Sequence, residues 1–84
     1  MNAAELKDLL ESEGYAHRWY SFDRGEPPID GYILEKVAER WTVFYFERGE
    51  SRNIASFESE SDASEFFYHR MREDFGSTVD RVKH

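Results

Sequence analysis

The side chains that could act as nucleophiles or general bases in this chain form no recognisable catalytic pattern. The closest pairing is Ser21 with His17, but nucleophilic catalysis needs a serine, a base and an orienting acid held in one rigid pocket. His69 falls on the polar side of a predicted helix, where a solvated histidine is the simpler interpretation. Glu47 and Arg48 form the best acid–base pair, but an ion pair at a hairpin end is the favoured interpretation. We therefore expect no catalytic residues and no enzymatic activity.

Metal and cofactor sites are also not indicated. The carboxylates of Glu58, Glu60 and Asp62 are two residues apart, as in a calcium loop, but the glycine at the sixth position and the glutamate at the twelfth are missing. Negative charge at the start of a helix explains this cluster more simply. The chain has no cysteine, and its five glycines are too scattered for a nucleotide-binding loop. We expect neither metal nor cofactor.

The charge balance bears on possible partners. Eleven basic and eighteen acidic residues give a net charge of −7, which disfavours binding to free nucleic acid or to an anionic membrane. A basic protein is the partner that this charge favours, although solubility alone would also explain it. With no apolar run of about 20 residues and no signal-peptide pattern at the start, we expect a soluble, cytoplasmic chain that is a monomer or weak dimer when free.

The elements that must position any functional residue are two helices and three clear strands. A helix is predicted over residues 3–13, capped by Asn2 and ended by Gly14, and a second helix is predicted from Ser59 to Gly76. Strands are predicted over residues 32–37, 41–47 and 53–57, joined by short turns. These elements predict one α+β domain over residues 1–84: an antiparallel three- to four-stranded meander with both helices on one face. Its ordered core spans about residues 3–75, and residues 76–84 form a flexible tail or one extra turn.

The central strand is apolar on both faces, and this is the main indication of function. Trp41, Val43 and Tyr45 alternate with Phe44 and Phe46, whereas a strand with one solvated face should alternate with polar residues. If helices cover one face, rings on the other face stay partly exposed and favour a protein interface. Alternatively, the aromatic segment over residues 19–22, which is either a fourth strand or an extended stretch, folds over that second face.

The predicted partner-binding set consists of aromatic anchors and a charged rim. The anchors are the exposed members of a group of four aromatic residues, and the acidic residues of the rim come from the proline-containing loop, the first clear strand and the end of the central strand. Ordinary surface charge is the alternative explanation for each acid taken singly. The set is Asp23, Glu26, Asp30, Tyr32, Glu35, Trp41, Tyr45, Phe46, Glu47 and Arg48.

Three stretches of the chain resemble a family of small bacterial immunity proteins, which are encoded beside polymorphic or contact-dependent toxins. They are Tyr32-x-Leu34, then Trp41-x-Val43-x-Tyr45-x-Glu47-Arg48-Gly49, then Phe57-x-Ser59-Glu60-x-x-Ala63-x-x-x-Phe67. The resemblance covers roughly residues 3–75. It implies a cytoplasmic, non-enzymatic inhibitor that binds the C-terminal domain of one cognate toxin, of the NAD-glycohydrolase or nuclease type, and occludes its active site.

Two other classes of function remain open on the residues alone. A small adaptor or structural subunit would use the same aromatic sheet face for permanent assembly with other proteins. A small-molecule or nucleotide sensor would need a concave aromatic pocket between sheet and helices.

Overall fold

The computed structural model describes residues 1–79 and has the predicted α+β architecture, with two helices and a four-stranded sheet. Short 3₁₀ turns flank the regular elements. In chain order they are α1 (Ala3–Ser12), a 3₁₀ turn (His17–Trp19), β1 (Tyr20–Ser21), β2 (Gly31–Val37), β3 (Arg40–Glu47), β4 (Glu50–Phe57), α2 (Glu60–Phe75) and a second 3₁₀ turn (Gly76–Thr78). The second 3₁₀ turn corresponds to the extra turn, one of the two alternatives for residues 76–84, and residues 80–84 lie outside the described residues.

The helix ends follow the sequence signals. The Asn2 side chain accepts a hydrogen bond from the Glu5 amide at 2.8 Å, and the Glu5 carboxylate accepts one from the Asn2 amide at 3.0 Å, which completes a capping box. Ser59 caps α2 by accepting from the Asp62 amide at 3.1 Å. Gly14 has a φ of 91° just after α1, a conformation in which glycine carries no steric cost. The predicted helix boundaries are therefore confirmed to within a residue.

Strands β2, β3 and β4 form the predicted antiparallel meander through two-residue turns. Both residues of each turn have positive φ, at 51° and 70° for Ala38 and Glu39 and at 56° and 82° for Arg48 and Gly49. This turn geometry matches the twist of antiparallel strands. The second turn is shorter than predicted, so β4 begins at Glu50 rather than at residue 53. A bulge opposite Val43 and Phe44 breaks the register of β4.

Strand β1 differs from the antiparallel expectation. It has only two residues, and it pairs parallel to β2, with Tyr20 opposite Tyr32 and Ser21 opposite Ile33. Trp19, the first residue of the aromatic segment, belongs to the 3₁₀ turn His17–Trp19 rather than to the strand. Because parallel neighbours need a connection that crosses the sheet, residues 23–30 must run back over one of its faces. We call residues 23–30 the proline loop.

The main core lies between the sheet and the two helices. The helices run in the same direction, since Glu60 accepts from the Ala3 amide at 2.7 Å and Tyr68 donates to Glu13 at 2.8 Å. The core cluster consists of Leu6, Leu10, Tyr15, Tyr20, Tyr32, Leu34, Val43, Ala63, Phe67 and Met71. No helix within residues 1–79 has the length and apolarity needed to span a bilayer.

The aromatic segment over residues 19–22 packs on the helix side, so the alternative in which it covers the second face is wrong. Trp19 stacks on Phe75 with ring centroids 4.8 Å apart, and Phe22 stacks on Phe67 at 5.9 Å. Both partners belong to α2. The physical reason is that the pairing of Tyr20 with Tyr32, a core residue, directs this segment toward the helices.

The proline loop covers part of the face opposite the helices, which we call the outer face. The Arg24 guanidinium lies 4.6 Å from the Phe44 ring centroid and its Nε donates to Glu35 at 3.2 Å. Phe44 is 7% exposed and Ile33, its pairing partner, is fully buried, although neither belongs to the main core cluster. A loop arginine rather than an aromatic segment therefore shields this half of the outer face.

Candidate functional site

The register of the sheet brings together four of the predicted partner-binding residues where β2 begins and β3 ends. Gly31 pairs with Phe46 and Tyr32 with Tyr45, so the two residues before Gly31 lie beside the last residues of β3. We call this surface the sheet end and define it as Ile29, Asp30, Tyr45, Phe46 and Glu47. All of these except Ile29 belong to the predicted set.

Tyr45 lies among carboxylates at the sheet end. Its side chain is half-buried, and burial is the largest cause that raises its pKa above the usual value. The negative charges of Asp30, Glu47 and Asp74 raise the pKa of Tyr45 further, whereas Arg52 lowers it. An aromatic ring with several carboxylates around it is suited to a cationic side chain from a partner, because both groups attract positive charge.

Phe46 and Glu47 extend this surface to the outer face and the hairpin. Phe46 is half-buried on the outer face, one pleat beyond the shielded Phe44. Glu47 pairs with Arg52 at 3.8 Å rather than with Arg48, whose left-handed conformation places it in the turn. The hairpin end holds a shallow depression of about 210 Å³ lined by Glu47, Arg48, Glu50 and Arg52. The sheet end therefore combines an apolar ring with charges of both signs.

Tyr32 is 1% exposed, so its prediction as an exposed anchor is wrong. It pairs with Tyr45 on the helix-covered face, and the two rings contact edge to face at 5.0 Å. Its hydroxyl donates to Asp74 and accepts from Arg70 Nε at 3.2 Å, which links the sheet to α2. Burial and the bond to Asp74 raise the pKa of Tyr32 to about 12. Tyr32 therefore supports Tyr45 from below instead of meeting a partner.

Tyr32→Phe should reduce the loss of stability at alkaline pH. The folded protein holds the phenolic proton more tightly than the unfolded chain, where tyrosine titrates near its ordinary value of 10. The stability from this group is complete below pH 10 and is lost as pH rises toward 12. Denaturant unfolding measured from pH 8 to 12 should therefore give a shallower decline for Tyr32→Phe than for wild type. Identical pH profiles would contradict the buried position of this hydroxyl.

The remaining anchor, Trp41, lies away from the sheet end. It is half-buried near the start of β3 on the helix-covered face, with the Lys36 ammonium 5.7 Å from its ring. Trp41 lies near the other end of β3 from the sheet end, five residues or about 17 Å along the strand from Phe46. A single compact interface therefore does not use both of them.

The acidic rim is not continuous, which corrects the sequence-based expectation. Asp23 accepts from the Gly25 amide at 2.8 Å and thereby shapes its own turn, and Glu35 is bound by Arg24. Glu26 lines a groove of about 320 Å³ that runs between α1 and the proline loop along β1. Only Asp30 and Glu47 adjoin Tyr45. Three of the five acids belong to the proline loop, one to β2 and one to β3, and they do not form one continuous rim.

The negative charge is concentrated on the helix layer rather than around the aromatic residues. Residues 1–13 and 58–75 contain ten acidic and three basic residues, whereas residues 14–57 contain seven and six. The helices therefore carry most of the net charge of −7, and the sheet with its loops is close to neutral. The sheet end and the most acidic surface, on the helix layer, thus lie on different parts of the molecule.

Three residues at or near the outer face were missed by the sequence reasoning. Ile29 and Ile54 are the large apolar side chains that stay exposed within residues 1–79, at 74% and 37%. Ile54 is the extra residue of the bulge, which no sequence signal indicates. Arg24 covers Phe44 from a loop that composition marks only as irregular. For Ile29, the available signal is an apolar residue directly after Pro27 and Pro28, in a loop that is otherwise polar.

The comparisons add no relative from which a function could be transferred. No family model, curated protein or solved structure matches this chain significantly. Within residues 1–79, His, Asp and Glu side chains form no group of three or more that could hold a metal ion. The functional argument therefore depends on the geometry and charge of the sheet end.

Proposed function

We propose that this protein is an immunity protein that binds the C-terminal domain of a cognate toxin through the sheet end and occludes its active site. The observation that carries the proposal is the partial exposure of Tyr45 and Phe46 beside the carboxylates of Asp30 and Glu47. Aromatic residues inside a charged surround are typical of the energetic centre of protein interfaces. The inhibitor contributes contacts and no chemistry of its own.

The molecule is large enough for such an interface, and the sheet end is stiff enough to be its centre. A stable complex of standard size covers about 800 Å² on each partner, which is a modest fraction of the 5195 Å² that the described residues expose. The sheet end is fixed by strand pairing on β2 and by a two-residue turn after Glu47. Little backbone change is therefore needed on binding.

The charge distribution supports fast association with a basic toxin. Toxins of the nuclease type bind nucleic acid and are basic, so a net charge of −7 attracts them over about 10 Å at 0.1 M ionic strength. The helix layer supplies most of this long-range field, and the sheet end supplies the contacts that fix the complex. Three positions of the stretch that resembles immunity proteins, Tyr45, Glu47 and Arg48, lie at or next to the sheet end.

Co-expression with the toxin domain encoded by the neighbouring gene tests this proposal. Wild-type protein should keep cells alive and form a one-to-one complex in size-exclusion chromatography with light scattering. Phe46→Ala should weaken the complex by about tenfold or more, because it removes the aromatic ring of the outer face. Glu65→Ala is the matched control, since Glu65 is exposed on α2 away from the sheet, and it should bind as wild type does.

Three results would contradict the proposal in different ways. If cells survive but no complex is detected, direct inhibition is contradicted and an enzymatic antidote is favoured instead. Death of cells that contain the wild-type protein would remove the immunity function. A permanent oligomer, with a mass above 10.0 kDa at every concentration tested, would favour the adaptor subunit instead.

A further inference from the structure

Ile29 projects from the proline loop with most of its side chain in solvent. It is 74% exposed, twice the value for Ile54, the other large apolar side chain that stays exposed within residues 1–79. Single exposed apolar residues are common on protein surfaces, so exposure alone assigns no role to Ile29. Two further observations point to a role for Ile29: the backbone hydrogen bonds that hold it and the charge of its loop.

The backbone holds Ile29 in a fixed position. The amides of Ile29 and Asp30 both donate to the Arg18 carbonyl, at 3.1 and 3.3 Å. Pro27 and Pro28 restrict φ on the preceding side, and Pro28 is buried. The isoleucine side chain is itself stiff because it is branched at Cβ. A residue held in this way loses little conformational entropy when a partner covers it.

The loop that carries Ile29 has a net negative charge. Asp30 follows it directly, and Asp23 and Glu26 are exposed in the same loop. Arg24, the one basic residue of the loop, is directed to Glu35 and to the Phe44 ring on the outer face. Ile29 therefore belongs to a loop with three carboxylates and one arginine, and that arginine is paired with Glu35.

We infer that Ile29 is an anchor of the interface in addition to the aromatic residues, and that it inserts into an apolar pocket of the partner that is rimmed by lysine or arginine. This inference rests on the proposed function and adds to it the chemistry of the partner's surface. An apolar pocket gains the buried area of the side chain, and a basic rim pairs with the carboxylates of the loop. A partner with an acidic rim is excluded by like-charge repulsion.

The affinity of Ile29 variants for the purified toxin domain, measured by isothermal titration calorimetry, tests this inference. Ile29→Ala should weaken binding by about 30-fold, the size expected for an anchor residue, and should leave the melting temperature unchanged. Ile54→Ala is the matched control and should change the affinity by less than about threefold. Ile29→Lys should bind more weakly than Ile29→Glu, because the two changes remove the same contact but only lysine meets a rim of like charge.

The outcomes separate the anchor from the proposed function. If wild type binds the toxin domain and Ile29→Ala binds equally well, the anchor is overturned and the immunity function stands. Equal losses for Ile29→Ala and Ile54→Ala, or a fall in the melting temperature of Ile29→Ala, would also overturn it. If Ile29→Glu is the weaker of the two charged variants, the basic rim is wrong. No binding by wild type would overturn both proposals.

Discussion

Phe67→Ala should lower the free energy of unfolding by about 3–5 kcal/mol, a large share of the stability of a domain of this size. Phe67 is fully buried at the centre of the interface between α2 and the sheet. Its ring stacks on Phe22 at 5.9 Å and meets Tyr32 edge to face at 6.1 Å. Removing the ring leaves a cavity that neither the helix nor the sheet can fill without moving.

Denaturant titration followed by circular dichroism measures this effect. Phe66→Ala is the matched control, because Phe66 neighbours Phe67 on α2 but is only half-buried against Phe57. The control should lose clearly less stability than Phe67→Ala. A loss below about 1 kcal/mol for Phe67→Ala would contradict the position of α2 on the sheet.

Gly31→Ala should cost about 3 kcal/mol or more, since two separate effects combine at this position. A Cβ atom on Gly31 would lie 1.9 Å from the Trp19 carbonyl oxygen, which is far inside any permitted contact. Gly31 also has a φ of 152°, where residues with a side chain are strained. The backbone of residues 18–19 would have to move away, and the pairing of β1 with β2 would be lost with it.

Gly49→Ala separates the clash from the strain. Gly49 has a φ of 82°, but a Cβ atom there would have nothing within 4 Å, so only the strain of about 1–2 kcal/mol remains. Thermal and denaturant unfolding should therefore rank Gly31→Ala well below Gly49→Ala in stability. Equal losses for the two variants would show that residues 18–19 do not pack closely against Gly31.

The features of the fold that depend on neighbouring residues could be predicted from the sequence. The capping box of Asn2 with Glu5, the Ser59 cap and the stop at Gly14 are each set by side chains within three residues or by a single φ angle. The alternation of residues 41–47 likewise predicted two apolar faces. These signals are local, so tertiary packing did not override them.

The parallel edge strand and the cover of the outer face depend on contacts far apart in sequence. Tyr20 pairs with Tyr32 in the sheet. Arg24 contacts Glu35, eleven residues further along the chain, and Phe44, twenty residues further along. Aromatic composition indicates that residues 19–22 are buried, but it does not indicate which face of the sheet they meet. That choice follows from the strand pairing, which is invisible in the pattern of one segment.

The candidate site was predicted in part for the same reason. Asp30, Tyr45, Phe46 and Glu47 lie together because β2 and β3 are adjacent antiparallel strands, which the meander implied. Tyr32 was included among the candidate anchors although it is buried. Alternation places it on the same face as Tyr45, but it does not indicate that α2 covers the centre of that face and leaves the end open. Ile29 needed the Arg18 carbonyl to fix it, a contact with no local signature.

Nuclear magnetic resonance shift mapping tests most directly the central claim that the sheet end is the docking surface. Unlabelled toxin domain would be titrated into ¹⁵N- and methyl-labelled protein, and the perturbed residues would be located on the structure. The largest shifts should cluster at Ile29, Asp30 and residues 45–47, and the outward sides of α1 and α2 should change little. A cluster on the outward side of the helices, where most of the acidic residues lie, would contradict that claim.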